Sequence, residues 1–208
     1  MVATQKFWDK HAAGYAKSPV RNEESYQKKL QITRSYLSPE SVVFEFGCGT
    51  GTTSVHHAPF AKSILAIDIS EKMLEIARDR AREKNVENIE FRQGSIEDFE
   101  EQDGSFDLVM GHSILHLLRD PQGAIDKVYR LLKPGGVFVS STVCLGNRIS
   151  LWRLILPPLS LVGIIPYVQV MSRQALENYF SNAGFDIDFQ WEQRKKEAAF
   201  IIVRKPAV

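Results

Sequence analysis

The stretch "VVFEFGCGTGTTS", residues 42–54, carries an apolar run directly into three glycines at alternate positions, Gly47, Gly49 and Gly51. The apolar run indicates a strand that is buried on both faces. Glycine is costly in an ordered element, so three of them this close together indicate a backbone that bends sharply or approaches a ligand closely. The stretch therefore predicts a strand, a tight loop and a helix, which together hold the ribose or ribose-phosphate part of a nucleotide-like cofactor.

The spacing of these glycines distinguishes the loop from two other nucleotide-binding loops. The dinucleotide pattern G-x-G-x-x-G would need its third glycine at position 52, where this chain has Thr52. The observed pattern is E-x-G-x-G-x-G, which begins at Glu45. The lysine that binds phosphate in a P-loop, just before the helix, is missing from this stretch, so a P-loop is excluded. A dinucleotide-dependent oxidoreductase is disfavoured by Thr52 but stays open as an alternative.

The next strand-like segment, "SILAIDIS" (residues 63–70), contains an acidic residue near its end, Asp68. A carboxylate at this position can accept hydrogen bonds from both hydroxyls of a ribose. An aspartate here can equally cap the helix that starts near Ser70. The glycine loop at the expected separation favours ribose binding.

Segments with strand and helix patterns alternate along the chain and predict an α/β fold with a mainly parallel sheet covered on both faces. The predicted strands are residues 41–47, 63–70, 88–94, 105–113 and 136–143, and the predicted helices are residues 71–85 and 121–136. A further helix is predicted at residues 172–185, followed by a hairpin with strands at 186–191 and 198–203. The region to about Leu37 is predicted to be helical.

We expect one domain over residues 1–208, with an N-terminal helical region at 1–38 and an apolar cap at 145–172 inserted after the fifth strand. The uncharged stretch 154–171 approaches the length of a membrane span, but Pro157 and Pro158 would break a helix near its start. A lid over a pocket, a dimer surface and a contact with a membrane surface are the alternatives for this cap.

Composition limits the function classes. The net charge of +1 gives no reason to expect a nucleic-acid partner. Two cysteines, Cys48 and Cys144, are too few for a disulfide framework or a cysteine zinc site, and no spaced cluster of metal ligands is visible. Without a recognisable signal peptide we expect a cytoplasmic protein, with a peripheral membrane contact as an alternative.

Five segments in order, and the N-terminal "FWDKHAAGYAKS", resemble the class I S-adenosylmethionine-dependent methyltransferases, especially the small-molecule and lipid branch that includes the ubiquinone and menaquinone methyltransferases. These five segments are "VVFEFGCGTG", "AIDISEKMLEIAR", "FRQGSIEDF", "DGSFDLVMGHSILHLLRDP" and "LLKPGGVFV". The resemblance covers nearly the whole chain. It implies a Rossmann-like, doubly wound, seven-stranded mixed sheet with an antiparallel C-terminal hairpin, and S-adenosyl-L-methionine as the cofactor.

The resemblance also implies a set of residues around the cofactor. Those expected at the methionine and ribose parts are Tyr15, Glu45 (as a support of the loop), Gly47, Cys48, Gly49, Gly51, Asp68, Gly111 and His112. Those expected at the adenine are Ile69, Met73, Ser95 and Ile96. Many relatives have an acidic residue at the position of Ser95, so Glu97 and Asp98 are alternative partners for the adenine amino group.

The chemistry implied is in-line methyl transfer, in which the enzyme aligns the acceptor with the methyl group and excludes water. A general base is needed only where the acceptor must lose a proton, and His112 and His116 are the weak candidates for it. The apolar cap favours a hydrophobic acceptor such as a quinone, a lipid or an aromatic molecule. A non-catalytic cofactor-binding protein is the other alternative.

Overall fold

The computed structural model describes residues 2–20, 22–144, 165–191 and 198–207. Within these ranges the chain forms a seven-stranded sheet in the order β3-β2-β1-β4-β5-β7-β6. The strands are β1 Val42–Phe46, β2 Ser63–Asp68, β3 Ile89–Gln93, β4 Phe106–His112, β5 Leu132–Thr142, β6 Asp186–Trp191 and β7 Ala199–Arg204. The helices are α1 Val2–Lys17, α2 Glu23–Arg34, α3 Thr52–His57, α4 Glu71–Glu83, α5 Pro121–Leu131 and α6 Arg173–Asn182, with short 3-10 turns at Ala58–Phe60 and Leu115–Leu117.

The strand order reverses at β1, and this reversal positions the site. The chain builds β1, β2 and β3 outward in one direction and then returns to place β4 and β5 on the other side of β1. All of these neighbouring pairs are parallel, whereas β7 runs antiparallel to both β5 and β6. The predicted mixed sheet with an antiparallel C-terminal hairpin is therefore confirmed. In sheets of this kind ligands bind outside the carboxyl ends of the strands at the reversal.

Apolar side chains fill both faces of the sheet. On one face, Phe46 and Phe138 pack beneath α5 and α6, and the Phe138 and Phe180 rings meet edge to face with centroids 5.7 Å apart. The opposite face buries strand residues such as Met110 against Ile32 of α2 and Leu74 of α4. Burial on both faces explains why the central strands are continuously apolar in sequence.

The N-terminal region is two helices, where the sequence pattern indicated one helical stretch. Pro19 falls between α1 and α2, and proline in a helix interior removes a hydrogen bond and clashes with the preceding turn. The second helix starts afresh at Asn22, whose side chain accepts a hydrogen bond from the backbone N–H of Ser25.

The end of α5 also differs from its predicted position. Helix α5 stops at Leu131, and β5 already includes Pro134, Gly135 and Gly136, the residues that the sequence pattern places at the end of the helix. The positive φ of 78° at Gly135 lets this segment bulge while Lys205 pairs with it through two backbone hydrogen bonds. Tertiary pairing with the last strand therefore extends β5 into a segment whose local sequence indicates a turn.

The three glycines of the loop all have positive φ, at 65° for Gly47, 55° for Gly49 and 69° for Gly51. They differ in what surrounds them. A Cβ atom at Gly51 would lie 2.7 Å from the Cβ of Ala77, whereas a Cβ at Gly49 would meet only the ring of Tyr15, at 3.8 Å. Gly51 is therefore needed for close packing of the loop on α4, and Gly49 faces open space.

Among the described residues, no helix combines the length and apolarity needed to cross a bilayer.

We expect Gly51→Ala to lower the free energy of unfolding by about 3 kcal/mol. The cost of a left-handed backbone conformation at alanine adds to the cost of the clash between the new Cβ and the Cβ of Ala77. The matched variant Gly49→Ala carries only the conformational cost, about 1 kcal/mol. Urea denaturation of the two variants measures the difference. Equal losses of stability would contradict the assignment of Gly51 to packing.

His57 is fully buried at the end of α3, and neither ring nitrogen has a hydrogen-bond partner among the described residues. Burial lowers the pKa of His57 from 6.5 to about 3, with smaller contributions from His112, Arg34 and His56. Below pH 6.5 the His57 ring is therefore protonated in the unfolded chain, whereas it stays neutral in the folded chain until the pH approaches 3. Stability due to the neutral ring is present above pH 6.5 and is lost progressively as the pH falls towards 3.

We therefore expect His57→Leu to flatten the acid side of the stability profile. Between pH 7 and pH 5 the wild-type chain should lose about 2 kcal/mol more of unfolding free energy than the variant. Urea titrations at the two pH values provide the measurement. Parallel pH profiles for the two proteins would show that His57 titrates normally in the folded state.

Candidate functional site

A cleft opens at the carboxyl ends of β1, β2 and β4, where the strand order reverses. It brings together residues that are distant in sequence and that the sequence analysis predicted. The predicted residues that line it are Tyr15, Gly47, Gly49, Asp68, Ile69, Met73, Ser95, Ile96 and His112. Other residues also line it, among them Thr4, Trp8, Glu97 and Tyr167.

Asp68 ties the glycine loop to the second strand. Its Oδ2 accepts the N–H of Gly49 at 2.8 Å, and its Oδ1 accepts the N–H of Ser70 at 2.9 Å. The carboxyl is largely buried, and burial raises its pKa while the two N–H donors oppose that shift. A carboxylate has about four acceptor sites, so two remain for hydroxyl groups of a ligand in the cleft.

The helix cap near Ser70 is made by Ser70 itself. Its hydroxyl accepts the N–H of Met73 at 3.2 Å, and this places Ser70 at the N-cap of α4. Of the two alternatives that the sequence left open for Asp68, the cap is thus supplied by a different residue. Asp68 supports the turn from outside the helix and still faces the cleft.

Helix α1 forms the roof of the cleft. The Tyr15 ring lies over Gly49, and Trp8 meets it edge to face with centroids 6.1 Å apart. Asp9 fixes the helix in place, since its Oδ1 accepts the Ser70 hydroxyl at 2.6 Å. Sequence reasoning found Tyr15 but missed Thr4 and Trp8, although helical spacing places Thr4, Trp8 and Tyr15 on one face of α1.

On the adenine side that the resemblance implies, Ser95 does not act alone. Its hydroxyl donates to Asp98 Oδ2 at 2.9 Å and accepts the N–H of Asp98 at 3.2 Å. Asp98 is therefore engaged with Ser95, while Glu97 lines the cleft. Between the two acidic alternatives, the geometry favours Glu97 as the group that faces a ligand.

Four predicted residues lie behind the cleft lining instead of in it. Glu45 accepts the hydroxyl of Ser54 and is almost fully buried under the loop. Cys48 is also buried, and Gly51 packs on α4. At Gly111 a Cβ would lie 2.6 Å from the Phe46 ring. These residues shape the loop and the strand ends, since their side chains or Cβ positions point into the protein.

Glu45 joins β1 to α3 from below the loop. Burial raises the pKa of its carboxyl to about 7, and the hydrogen bond from Ser54 opposes that shift. The contact lies beneath the loop, and the support of the loop by Glu45 stays a prediction. It gives Glu45 no contact with the cleft.

The two candidate histidines occupy different places. His112 lines the cleft, and its buried Nε2 has no hydrogen-bond partner in the described part of the chain. His116 lies in the 3-10 turn outside the lining residues, and its carbonyl accepts the N–H of Gln169 at 2.7 Å. Burial lowers the pKa of each to about 4, so both rings are neutral at pH 7. The structure thus brings only His112 of this pair to the cleft.

The predicted apolar cap lies largely outside the described residues, because 145–164 are not among them. Its last part is described. Tyr167 lines the cleft with the Arg119 guanidinium 5.5 Å from its ring centroid, and Met171 is buried in the core. Residues 167–171 therefore run from the edge of the cleft into the core.

Within the ranges 2–20, 22–144, 165–191 and 198–207, no three metal-ligating side chains come together in a way that could hold a metal ion.

Residues 37–187 match the family model described as "Methyltransferase domain". Among curated proteins, the uncharacterized methyltransferase YcgJ of Bacillus subtilis is 33% identical over 110 residues, which are 53% of this chain and 44% of that protein. The ubiquinone biosynthesis O-methyltransferase of Acinetobacter baumannii strain ACICU is 33% identical over 139 residues, 66% of this chain and 57% of that protein. The chain thus matches about half of the length of these relatives.

Solved structures share the fold. The crystal structure of B. subtilis YcgJ has a TM-score of 0.73 at 19% identity and covers 86% of this chain and 99% of its own. The geranyl diphosphate C-methyltransferase of Streptomyces coelicolor, in complex with Mg²⁺, geranyl diphosphate and S-adenosyl-L-homocysteine, has a TM-score of 0.70 at 14% identity and covers 88% of this chain and 79% of its own.

The family match spans well over half of the chain and includes the glycine loop, Asp68 and the fourth and fifth strands. It confirms the resemblance drawn from the five sequence segments. The chain belongs to the methyltransferase-domain family, whose fold and motifs are those of the class I S-adenosylmethionine-dependent methyltransferases.

Proposed function

We propose that this protein binds S-adenosyl-L-methionine in the cleft and transfers its methyl group to a small, hydrophobic acceptor. The observation that carries the proposal is the Asp68 carboxylate, which faces the cleft while it holds the N–H groups of Gly49 and Ser70. A carboxylate fixed in this way at the reversal of the strand order can receive the two hydroxyls of a ribose.

The residues fit an adenosyl group along the cleft. Asp68 holds the ribose, the Ile69 and Met73 side chains pack on the adenine, and Ser95, Ile96 and Glu97 border its other edge. Gly49 gives the backbone a surface without a side chain, against which the methionine part lies, and Gly47 beside it leaves room for the Ile114 side chain. Tyr15 closes over this part from α1, and His112 lies at its end. Glu45, Cys48, Gly51 and Gly111 contribute by holding the loop and the strand ends in place.

When bound, the cofactor supplies a methyl group on a positively charged sulfur, which is an excellent leaving group. The protein's own residues then have to orient the acceptor and exclude water. Trp8 and Tyr15 cover the cleft from above, and Ile114 and Leu117 line its far side. These apolar groups keep the reacting atoms away from solvent.

Three observations support a hydrophobic acceptor. The cleft has apolar walls at Ile114, Leu117 and Leu118, and Tyr167 lies beside them. The sequence at 145–164 is almost uncharged. A curated relative is named for ubiquinone biosynthesis, and one solved neighbour holds geranyl diphosphate. We propose that residues 145–172 form a lid over the acceptor, with a dimer surface and a peripheral membrane contact as the alternatives.

The geometry disfavours a dinucleotide cofactor. Arg80 donates hydrogen bonds to Thr50 and Thr52 at the start of α3, the place where a dinucleotide fold receives its pyrophosphate. That place is filled by the protein's own side chain.

We expect S-adenosylhomocysteine to raise the melting temperature of the protein, because a ligand that binds only the folded state stabilises it by mass action. The variant Asp68→Ala should abolish the increase, since the ribose loses its acceptor and the loop loses its tie. Asp68→Asn is the matched variant of the same shape. Differential scanning fluorimetry provides the measurement, and no increase at millimolar ligand would refute the proposal.

Gly49→Ala tests the same site from the other side. Its added methyl group enters the cleft beneath Tyr15, so we expect weaker binding of S-adenosylhomocysteine, by tenfold or more, in a folded protein. Isothermal titration calorimetry measures the affinity. Unchanged affinity would show that the methionine part does not lie against Gly49.

Two further measurements separate the alternatives. We expect a titration with NAD to give no more signal than a titration with buffer alone. Tight binding of NAD would favour the oxidoreductase. A screen for transfer of a radiolabelled methyl group to quinols, phenols and lipids tests catalysis. Cofactor binding without transfer to any acceptor would favour a non-catalytic binding protein.

A further inference from the structure

A polar cluster that sequence reasoning did not find lies at the carboxyl ends of β4 and β5. The ammonium group of Lys29, on α2, donates to the hydroxyl of Ser141 at 3.1 Å, across 112 positions of the sequence. Ser141 is the register partner of His112 in the neighbouring strand. Lys29 thus lies near a residue that lines the cleft.

The alternation of side chains along the strands puts this cluster on one face of the sheet. His112 follows Leu108 and Met110 on β4, and Ser141 follows Val137 and Val139 on β5, with alternate residues on the same face. These apolar residues belong to the core that includes Ile32 of α2. On this face the apolar side chains thus give way to polar ones at the carboxyl ends of β4 and β5, next to the cleft.

Two members of the cluster, His112 and Ser141, have capacity for a further hydrogen bond. The buried Nε2 of His112 has no partner among the described residues. Ser141 uses its hydroxyl oxygen as the acceptor for Lys29, so its O–H can donate elsewhere. Buried polar groups are normally hydrogen-bonded, so an unpartnered nitrogen beside a ligand cleft indicates a place where a ligand completes the bonding.

We propose that Lys29, Ser141 and His112 form the acceptor subsite, and that this subsite takes a small molecule whose methylated atom is an acidic hydroxyl oxygen, as in a phenol or an enol, bound as its anion. This inference rests on the proposed methyltransferase function and names its acceptor class. Lys29 is the residue that supplies the positive charge.

The state of the histidines favours stabilisation by charge over removal of the proton by a strong base. Burial and the charge of Lys29 lower the pKa of His112 to about 4, so its neutral ring is a weak proton acceptor at pH 7. His112 contributes to lowering the pKa of His57 of α3, and that ring is also neutral at pH 7. An opposite charge within 4–6 Å lowers the pKa of an acidic group by about 1–3 units.

The proposed step balances without another reactant. The hydroxyl proton leaves to solvent, the oxygen keeps the electron pair and bonds to the transferred carbon, and the electron pair of the broken carbon–sulfur bond stays on the donor's sulfur. Lys29 stabilises the anion before transfer, and His112 and Ser141 orient it.

The probe 4-nitrophenol tests the inference, because its ionised form has its own absorption band. We expect it to bind to the protein saturated with S-adenosylhomocysteine and to titrate there with an apparent pKa at least about one unit below its value in free solution. This measurement needs no variant. A probe that binds with an unshifted pKa, or that does not bind to the saturated protein, overturns the proposal.

Variants assign the shift to Lys29. Lys29→Met and Lys29→Gln should restore the pKa of free solution, and Lys29→Arg should keep most of the shift. The control is Lys28→Met, which removes the neighbouring lysine, whose ammonium group lies 4.4 Å from the centroid of the Trp191 ring. A shift that survives in Lys29→Gln, or that disappears equally in Lys28→Met, overturns the role of Lys29.

Binding of S-adenosylhomocysteine is measured on the same samples by calorimetry. If the wild-type protein does not bind it, the proposed function fails. If it binds with full affinity while the probe is unshifted, only the acceptor subsite fails.

Discussion

The carboxylate of Asp68 is the contact on which the site depends. It accepts N–H groups from Gly49 and Ser70, and so it joins the loop after β1 to the turn after β2 at the edge where the strand order reverses. The carboxylate is largely buried, and its two backbone donors offset the cost of removing it from water. Asp9 continues the connection through Ser70 and brings α1 over the cleft. One acidic side chain thus links the sheet, the loop and, through Ser70, the roof.

The three glycines, which look equivalent in sequence, have different physical roles. Gly49 leaves the backbone bare on the side of the cleft, Gly47 leaves room for the Ile114 side chain, and Gly51 allows the loop to pack against Ala77 and Phe91. Beside the loop, Arg80 donates hydrogen bonds to Thr50 and Thr52 at the start of α3.

The polar groups of the site are arranged at two levels. Asp68 and Glu97 line the part of the cleft proposed for the adenosyl group, and Lys29 and Ser141 lie beside His112 at the carboxyl ends of β4 and β5. The burial of His112 and His116 leaves both as neutral, weak bases, so a positive charge is the stronger means of activating an acidic acceptor. The apolar walls between these levels strengthen such a charge, because its interactions are less screened where water is excluded.

The sequence alone determined the α/β class, the glycine loop and the positions of the strands to within a few residues, because apolar periodicity and glycine spacing are local signals that strands and tight loops require. The resemblance to the methyltransferases supplied the count of seven strands and the expected cofactor residues Ile69, Met73, Ser95 and Ile96, which line the cleft. Only the tertiary structure decided that Pro19 divides the N-terminal region into two helices and that β5 begins before Gly135, where pairing with the last strand overrides the local turn signal. It also decided which predicted residues lie behind the lining, as Glu45 and Gly111 do.

Lys29 gave no signal in sequence, since a lysine on a polar helix looks like a solvated one. Its contact with Ser141 spans 112 positions of the chain, and such a contact exists only once α2 is packed on the sheet.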